Sequence, residues 1–168
     1  MTEILDVHSH ILPGIDDGAP SGKMSVEMLR TASEQGIRRI IATPHYSAFF
    51  QNTDPGRIRG LCRGLNRKAV KEGIPCRVYP GQEIMYSENA LERLNRGELL
   101  TMAGSRYILI EFEPSVPYSF IYMAIRNCAT QGYSPILAHV ERYRSVYAPG
   151  KAQELIEQGA HLQMNFRS

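Results

Sequence analysis

The sequence predicts an α/β fold built from repeated strand and helix units. Five apolar runs each carry a histidine or a glutamate at or near their end: ILDVHSH, RIIATPH, RVYPGQE, YILIEF and SPILAHVE. From His10 to His139 the gaps between these marks are 35, 38, 28 and 28 residues, enough for one loop, one helix and the next strand. Such connections are typical of parallel strands with right-handed crossovers, whose carboxyl ends meet on one face. The marked side chains are therefore expected to lie together.

Composition fits one domain over residues 1–168. The chain is 43% apolar and 21% charged, and its net charge of +2 gives no reason to expect nucleic acid or membrane as a partner. Its three cysteines include no C-x-x-C pair, which argues against a disulfide framework and a zinc knuckle. Neither a leader nor an apolar run of about 18 residues is present, so a cytoplasmic protein is expected.

The first predicted unit is a buried strand over 4–8, a loop rich in glycine and proline, and a helix. The helix is expected to begin near Ser21 to Ser25 and to end at Gly36. Its apolar side is predicted to carry Met24, Met28, Leu29 and Ala32.

The next units follow the same order. The segment IRRIIAT is predicted to be the second strand, and the helix after it has Asp54 as its N-cap, Pro55 at its first position and Gly73 at its end. The third strand, PCRVYPGQE, leads to Glu83.

The second half is predicted to contain three helices and three strands. A short helix from Glu88 to Leu94 precedes RYILIEF, a continuous apolar strand of the kind buried on both faces. A helix over 118–131, the strand SPILAH, a helix over 149–158 and a sixth strand, AHLQMNF, complete the chain.

The stretch 57–71 is strongly basic. Its cationic residues are Arg57, Arg59, Arg63, Arg67, Lys68 and Lys71. The favoured interpretation is the solvated face of a surface helix, and the alternative is a docking surface for an acidic partner.

His8 and His10 lie two residues apart at the end of the first predicted strand. Both imidazoles are therefore expected to point to the same face, where they can grip one cation. Asp16 and Asp17 follow in a Gly-rich loop. This pattern indicates a metallohydrolase, with two surface or capping histidines as the alternative.

Further candidate ligands directly follow other apolar runs. For His45 and His139, a core histidine satisfied by hydrogen bonds is an equal alternative. Glu83 and Glu111 are more informative, because a carboxylate at the end of a buried strand needs a cation or several donors to offset its desolvation. Mixed histidine and carboxylate ligands indicate zinc, manganese or iron, and bridging carboxylates favour a multinuclear site.

Arg142 stands three residues beyond His139 and is a candidate for stabilising charge on a phosphoryl group. An ion pair with Glu141 or another neighbour is the alternative. His161 opens the last predicted strand, which places it on the opposite face without a catalytic role. No cysteine has an arginine six positions later, and the chain contains no nucleophile elbow and no P-loop.

The segments DVHSHILPGIDDG, ATPHY, PGQEI, RYILIEF and ILAHVER together resemble the polymerase-and-histidinol-phosphatase (PHP) superfamily. They are most similar to the manganese-dependent protein tyrosine phosphatases of bacterial capsule and exopolysaccharide loci. The similarity runs from about residue 4 to residue 168. It implies a distorted TIM-like (β/α)7 barrel, incomplete in this chain, with metal ions at the strand C-termini.

The resemblance also implies three metal positions, the first two joined by a bridging glutamate. The ligands are His8, His10 and Glu83 for the first, Glu83, Glu111 and His139 for the second, and Asp17 and His45 for the third. Manganese is expected, with zinc or iron as alternatives, and Arg142 would contact the phosphate. In the family a later S-D-x-H motif completes the first and third positions, and this C-terminal part is expected to be absent here.

The function implied by the resemblance is hydrolysis of phosphotyrosine in a protein, typically the tail of a bacterial tyrosine kinase of polysaccharide synthesis. One alternative is a phosphatase for a small molecule such as histidinol phosphate. Others are a metal-dependent amidohydrolase and a shortened, non-catalytic binding or regulatory protein.

Overall fold

The computed structural model describes residues 3–47 and 54–165. This part of the chain contains eight short strands and five α-helices. The strands are β1 (Ile4–Ser9), β2 (Ile37–Ala42), β3 (His45–Tyr46), β4 (Arg77–Pro80), β5 (Glu83–Met85), β6 (Tyr107–Glu111), β7 (Ser134–Leu137) and β8 (His161–Leu162). The helices are α1 (Gly22–Glu34), α2 (Pro55–Lys71), α3 (Ala90–Asn95), α4 (Tyr118–Thr130) and α5 (Lys151–Glu157).

Parallel pairing joins the strands into two sheets, in the orders β1-β2-β4 and β3-β5-β6-β7-β8. Two residues separate β2 from β3, and two separate β4 from β5. At these interruptions the N–H of Gly81 donates to the carbonyl of Ala42 at 2.9 Å, and that of Glu83 donates to the carbonyl of Pro44 at 3.1 Å. The two sheets therefore continue one another, and the eight strands follow six parallel paths in a single arc.

The predicted α/β class with parallel strands is confirmed, but the described residues form no closed barrel. Within residues 3–47 and 54–165, β1 and β8 are the two ends of the arc and do not pair with each other. The prediction of PCRVYPGQE as one strand is wrong. The strand β4 ends at Pro80, and β5 begins at Glu83 in the other sheet.

Both long helices of the first half begin at a side-chain N-cap, which is Asp54 as predicted for α2 and Ser21, within the predicted starting region, for α1. Ser21 Oγ accepts a hydrogen bond from the N–H of Met24 at 3.3 Å, and Asp54 Oδ1 accepts one from the N–H of Arg57 at 3.0 Å. Pro55 occupies the first turn of α2, where its missing N–H costs nothing. None of the helices in the described part of the chain has the length and apolar composition that crossing a bilayer requires.

Two details of burial differ from prediction. Ile4 and Leu5 are 50% and 47% exposed, because β1 lies at an end of the arc instead of inside it. Met24 is 41% exposed, since α1 turns Ser25, Val26 and the correctly predicted Leu29 toward the sheet.

The core has three parts. One cluster lies beneath α1 and α2, and a second lies beneath α3, α4 and α5. The third joins Ile41, Met102, Leu109 and Ala138, with Val7 packed against it. Ile41 belongs to β2 of the first sheet and Leu109 to β6 of the second, so this third cluster lies between the two sheets on the concave side of the arc.

All six basic residues of the stretch 57–71 are exposed on α2. That placement agrees with the interpretation as a surface helix. Docking of an acidic partner on this face stays a prediction.

Gly81 lies so close to β2 that a methyl group has no room. A Cβ atom there would stand 2.8 Å from Ile41 Cγ2 and 3.3 Å from the carbonyl oxygen of Ala42. We expect Gly81→Ala to lower the free energy of unfolding by about 1–3 kcal/mol, the usual cost of overpacking. Urea denaturation followed by circular dichroism measures this change.

Gly60→Ala is the matched control. A Cβ atom at Gly60 would meet only the Arg63 guanidinium at 4.0 Å, and the residue lies inside α2. Its replacement should raise the free energy of unfolding by up to about 1 kcal/mol, because alanine has the higher helix propensity. Equal destabilisation by both substitutions would contradict the packing argument.

Candidate metal centre

His8 reaches the centre through an irregularity in β1. Val7 packs with Ile41 on the concave side of the arc, so strict alternation would turn His8 outward. Between Asp6 and Ser9, however, β1 uses one residue more than β2 does. This β-bulge re-aims the His8 side chain, and Asp6 Oδ1 accepts a hydrogen bond from the His8 N–H at 3.0 Å.

His10 lies beyond the end of β1, so the two imidazoles do not share a face through simple strand alternation, as the sequence had suggested. Its Nδ1 stands 2.8 Å from Asp16 Oδ2. The Asp16 carboxylate is inaccessible to solvent and also accepts hydrogen bonds from the backbone N–H groups of Gly18, at 3.0 Å, and His45, at 3.2 Å. Asp16 therefore orients His10 and organises the loop that follows it.

Glu83 stands at the middle of the centre and is 1% exposed. Its Oε1 lies 3.2 Å from His8 Nε2 and 2.9 Å from His139 Nε2. Its Oε2 lies 3.3 Å from His10 Nε2 and 3.0 Å from His45 Nδ1. Burial alone would raise the pKa of Glu83, but the surrounding imidazoles, those of His10, His139 and His45 foremost, hold that pKa well below its usual range.

Glu111, at the end of β6, is the second buried carboxylate. Its Oε1 is 3.0 Å from His45 Nδ1, and its Oε2 is 3.3 Å from His139 Nε2. Burial opposes ionisation here too, but the two imidazoles lower the pKa of Glu111. The two glutamates thus share His45 and His139 between them.

The same contacts change the basicity of three imidazoles. Desolvation would lower their pKa values, but two carboxylates beside each ring outweigh it. They raise the pKa of His10 to about 9, that of His45 to about 10 and that of His139 to about 9. Without a cation, these rings hold protons at neutral pH.

The donor atoms fit divalent cations. Three groups have ligand atoms that all lie within 4.8 Å of one another: His8, His10 and Glu83; His10, Asp17 and His45; and His45, Glu83 and Glu111. Oε2 of Glu83 is buried and meets His10 and His45 as close charges but without a hydrogen bond of good geometry, an arrangement that a cation would improve. Imidazole and carboxylate together suit zinc, manganese or iron.

All seven predicted ligands thus come together, with one difference of grouping. The sequence resemblance joins His139 with the two glutamates, whereas the third group in the structure contains His45 in its place. His139 Nε2 nevertheless lies 2.9 Å from Glu83 and 3.3 Å from Glu111.

Arg142 lies at the rim of a cavity of about 320 Å³ above the centre. The other lining residues are His8, His10, Asp17, Gly18, His45, Glu83, His139 and Asn165. His139 has a left-handed backbone with φ of 35°, and a 3₁₀ turn over Val140–Arg142 follows it directly. Two larger grooves, of about 690 and 770 Å³, flank α2 but are lined by no imidazole.

His161 lies where the sequence placed it. It is exposed at the amino end of β8, and its ring stands 5.4 Å from that of Tyr107, at the amino end of β6. It is therefore at the end of the strands opposite to the centre.

Two orienting residues were missed in the sequence, and Asp16 was noted there without a role. Gln163 Oε1 lies 3.0 Å from His8 Nδ1. The Tyr143 hydroxyl lies 3.2 Å from His139 Nδ1 and accepts a hydrogen bond from the Phe112 N–H at 3.1 Å. Gln163 directly follows β8, so its place at a strand end was the available signal, but a neutral amide is not a typical metal ligand.

Known proteins match both the sequence and the fold. The model of the family described as capsular polysaccharide synthesis, CpsB/CapC, matches residues 4–168. The chain is 38% identical over 162 residues to the tyrosine-protein phosphatase YwqE of Bacillus subtilis, covering 96% of this chain and 64% of that protein. It is 33% identical over 163 residues to the tyrosine-protein phosphatase CpsB of Streptococcus pneumoniae, covering 96% and 67% respectively.

The chain therefore spans about two thirds of the length of these relatives. A solved chain from the crystal structures of YwqE and CpsB, described as unique metal-dependent tyrosine phosphatases, superposes with a TM-score of 0.89 at 38% identity. The match covers 96% of this chain and 66% of that one. From the family match over nearly its whole length, this chain belongs to the CpsB/CapC family of capsular polysaccharide synthesis.

Proposed function

We propose that this protein hydrolyses phosphotyrosine in proteins with divalent cations held at the carboxyl ends of its strands. The observation that carries the proposal is the convergence of four imidazoles on the buried Glu83 carboxylate. The names of YwqE and CpsB support the reaction type and the phosphotyrosine substrate.

The residues of the centre can be assigned to three cation positions and one phosphate contact. His8, His10 and Glu83 would hold the first cation; Glu83, Glu111 and His139 the second; and Asp17 with His45 the third. Bound cations supply positive charge for the phosphoryl oxygens and lower the pKa of water. Arg142, on the rim, carries a planar guanidinium that can bind two phosphoryl oxygens and orient the ester in the cavity.

Cysteine chemistry is an unsuitable alternative here. Cys62, Cys76 and Cys128 are all buried. Burial raises the pKa of Cys62 and of Cys128 to about 12, so neither is a thiolate at neutral pH.

The proposal extends to finer points. Manganese is the cation we favour over zinc or iron because of the resemblance to manganese-dependent phosphatases, and the carboxylate oxygens of Asp17, Glu83 and Glu111 are ligands that manganese accepts. The phosphotyrosine would be in the tail of a bacterial tyrosine kinase, and the reaction would take place in the cytoplasm. Residues 1–168 would form one domain within the (β/α)7 barrel implied for the family.

Removal of cations should abolish hydrolysis of a phosphotyrosine peptide, and manganese should restore it. His139→Ala should lower the restored rate by at least about 100-fold, because it removes a side chain that would bind a cation directly. Loss of a residue that only hydrogen-bonds to a ligand already lowers metal affinity or activity by about 10–100-fold. Phosphate release and metal per polypeptide are measured together. His161→Ala, at the opposite end of the strands, is the matched control and should leave both unchanged.

The result separates this function from its rivals. Rates that do not depend on cation or on His139 would exclude the metal mechanism. Hydrolysis of histidinol phosphate but not of the peptide would indicate a small-molecule phosphatase. Substoichiometric metal together with an intact peptide would indicate a non-catalytic binding or regulatory protein.

Cation binding should release protons at pH 7. The raised pKa values of His10, His45 and His139 keep these rings protonated up to about pH 9–10, whereas a cation binds the neutral ring. Apparent affinity should therefore rise, and proton release should fall, as the pH increases from 7 toward 9. Titration calorimetry in two buffers of different ionisation enthalpy counts the protons, and zero release at pH 7 would contradict the charge arrangement.

Arg142→Ala should lower kcat/KM for the phosphopeptide by about 100-fold, the order lost with a single charge-stabilising donor. Metal per polypeptide should not change, because a guanidinium is no cation ligand. Arg144→Ala, an exposed arginine outside the cavity lining, is the control and should behave as wild type. A loss of metal in the Arg142 variant would assign this residue to the architecture of the centre.

A further inference from the structure

Gln163 makes three side-chain hydrogen bonds directly beside the metal centre. Its Oε1 is 2.9 Å from the backbone nitrogen of His139 and 3.0 Å from Nδ1 of His8. Its Nε2 donates to Asn165 Oδ1 at 2.8 Å. One amide therefore contacts the strand that begins the chain and the turn that follows β7.

The backbone of Gln163 is itself held in place. Its N–H donates to the carbonyl of Leu137 at 2.9 Å, and its carbonyl accepts from the N–H of Val140 at 2.9 Å. These two bonds continue the pairing of β7 with β8 beyond Leu162, the last residue of β8. The amide is thus presented from a fixed segment of backbone.

The hydrogen bonds determine which nitrogen of His8 carries the proton. A backbone N–H can only donate, so the amide atom that faces His139 must be the oxygen. An amide oxygen can only accept, so Nδ1 of His8 must be the protonated nitrogen. The lone pair is then on Nε2 of His8, which lies 3.2 Å from Glu83 Oε1 and 3.2 Å from His10 Nε2.

The same contact spans the open side of the fold. Among the described residues, β1 and β8 are the unpaired ends of the arc, and His8 and Gln163 are 155 positions apart. The bulge in β1 aims His8 inward, but it does not fix the rotation of the ring. Gln163 supplies that second constraint and ties His8 to the backbone of His139.

We propose that Gln163 is a positioning residue that fixes the Nδ1–H form of His8 and couples the first metal position to the second. The inference rests on the proposed metal-binding function for its purpose but not for its geometry. A hydrogen-bonded outer partner of this kind orients the ring and makes it a better ligand.

The first test uses the metal-free protein. Long-range ¹H–¹⁵N spectra, recorded where His8 is neutral, distinguish a ring protonated at Nδ1 from one protonated at Nε2. Wild type should show the Nδ1–H form, and Gln163→Met, of similar length but without an acceptor, should lose it. Gln163→Glu keeps an acceptor oxygen and should retain it.

The second readout is manganese affinity by titration calorimetry. Gln163→Met should bind about 10–100-fold more weakly than wild type, the usual loss for an outer partner. Gln163→Glu should restore the affinity. Gln153→Leu, an exposed glutamine on α5, is the matched control and should change neither the His8 spectrum nor the affinity.

The outcomes separate this inference from the proposed function. An unchanged Nδ1–H form with unchanged affinity in Gln163→Met would overturn the positioning role. A shifted His8 tautomer in a protein whose wild type binds no manganese would support the positioning role and reject the function. If Gln163→Met does not fold, the Glu variant decides, since loss of the Nδ1–H form there would also overturn the proposal.

Discussion

The arrangement depends on one constraint, the burial of the Glu83 carboxylate with charge to compensate it. An isolated buried carboxylate would cost several kcal/mol, and four imidazoles surround this one. Those imidazoles come from three segments of the chain, around His8 and His10, His45 and His139, so the strand arc must bring these segments together before Glu83 can be accommodated. Three of the rings are protonated at neutral pH, and a bound cation would replace those protons. The contacts that compensate the buried charge of Glu83 are therefore made by the same side chains that would bind the cations.

Much of this was predictable from the sequence, because its signals are local. Apolar runs followed by His45, Glu83 or His139 mark the face where the strands end, although His45 and Glu83 themselves begin β3 and β5. The N-cap at Asp54 begins α2 as expected, and α1 begins within the predicted region near Ser21. Parallel topology then brings the candidate ligands together, since it places the strand ends on one face. The candidate ligands could be named without coordinates for that reason.

The features that could not be predicted depend on register and on long-range contacts. A bulge in β1 has no sequence signature of its own, so alternation gave the wrong reason for the orientation of His8. The break between β4 and β5 lies at Gly81, whose close approach to Ile41 involves another strand and cannot be read from the local sequence. Gln163 was missed because its role lies in a hydrogen bond across 155 residues and not in its own chemistry.

The left-handed backbone of His139, with φ of 35°, limits the amino acids that fit this position without strain. Histidine, asparagine and aspartate tolerate that region better than most residues, whereas a branched or long side chain would add about 1–2 kcal/mol of strain. Of these three, histidine alone is a nitrogen ligand whose length lets it contact both glutamates. Backbone conformation, as much as coordination chemistry, thus restricts which side chains can occupy this position.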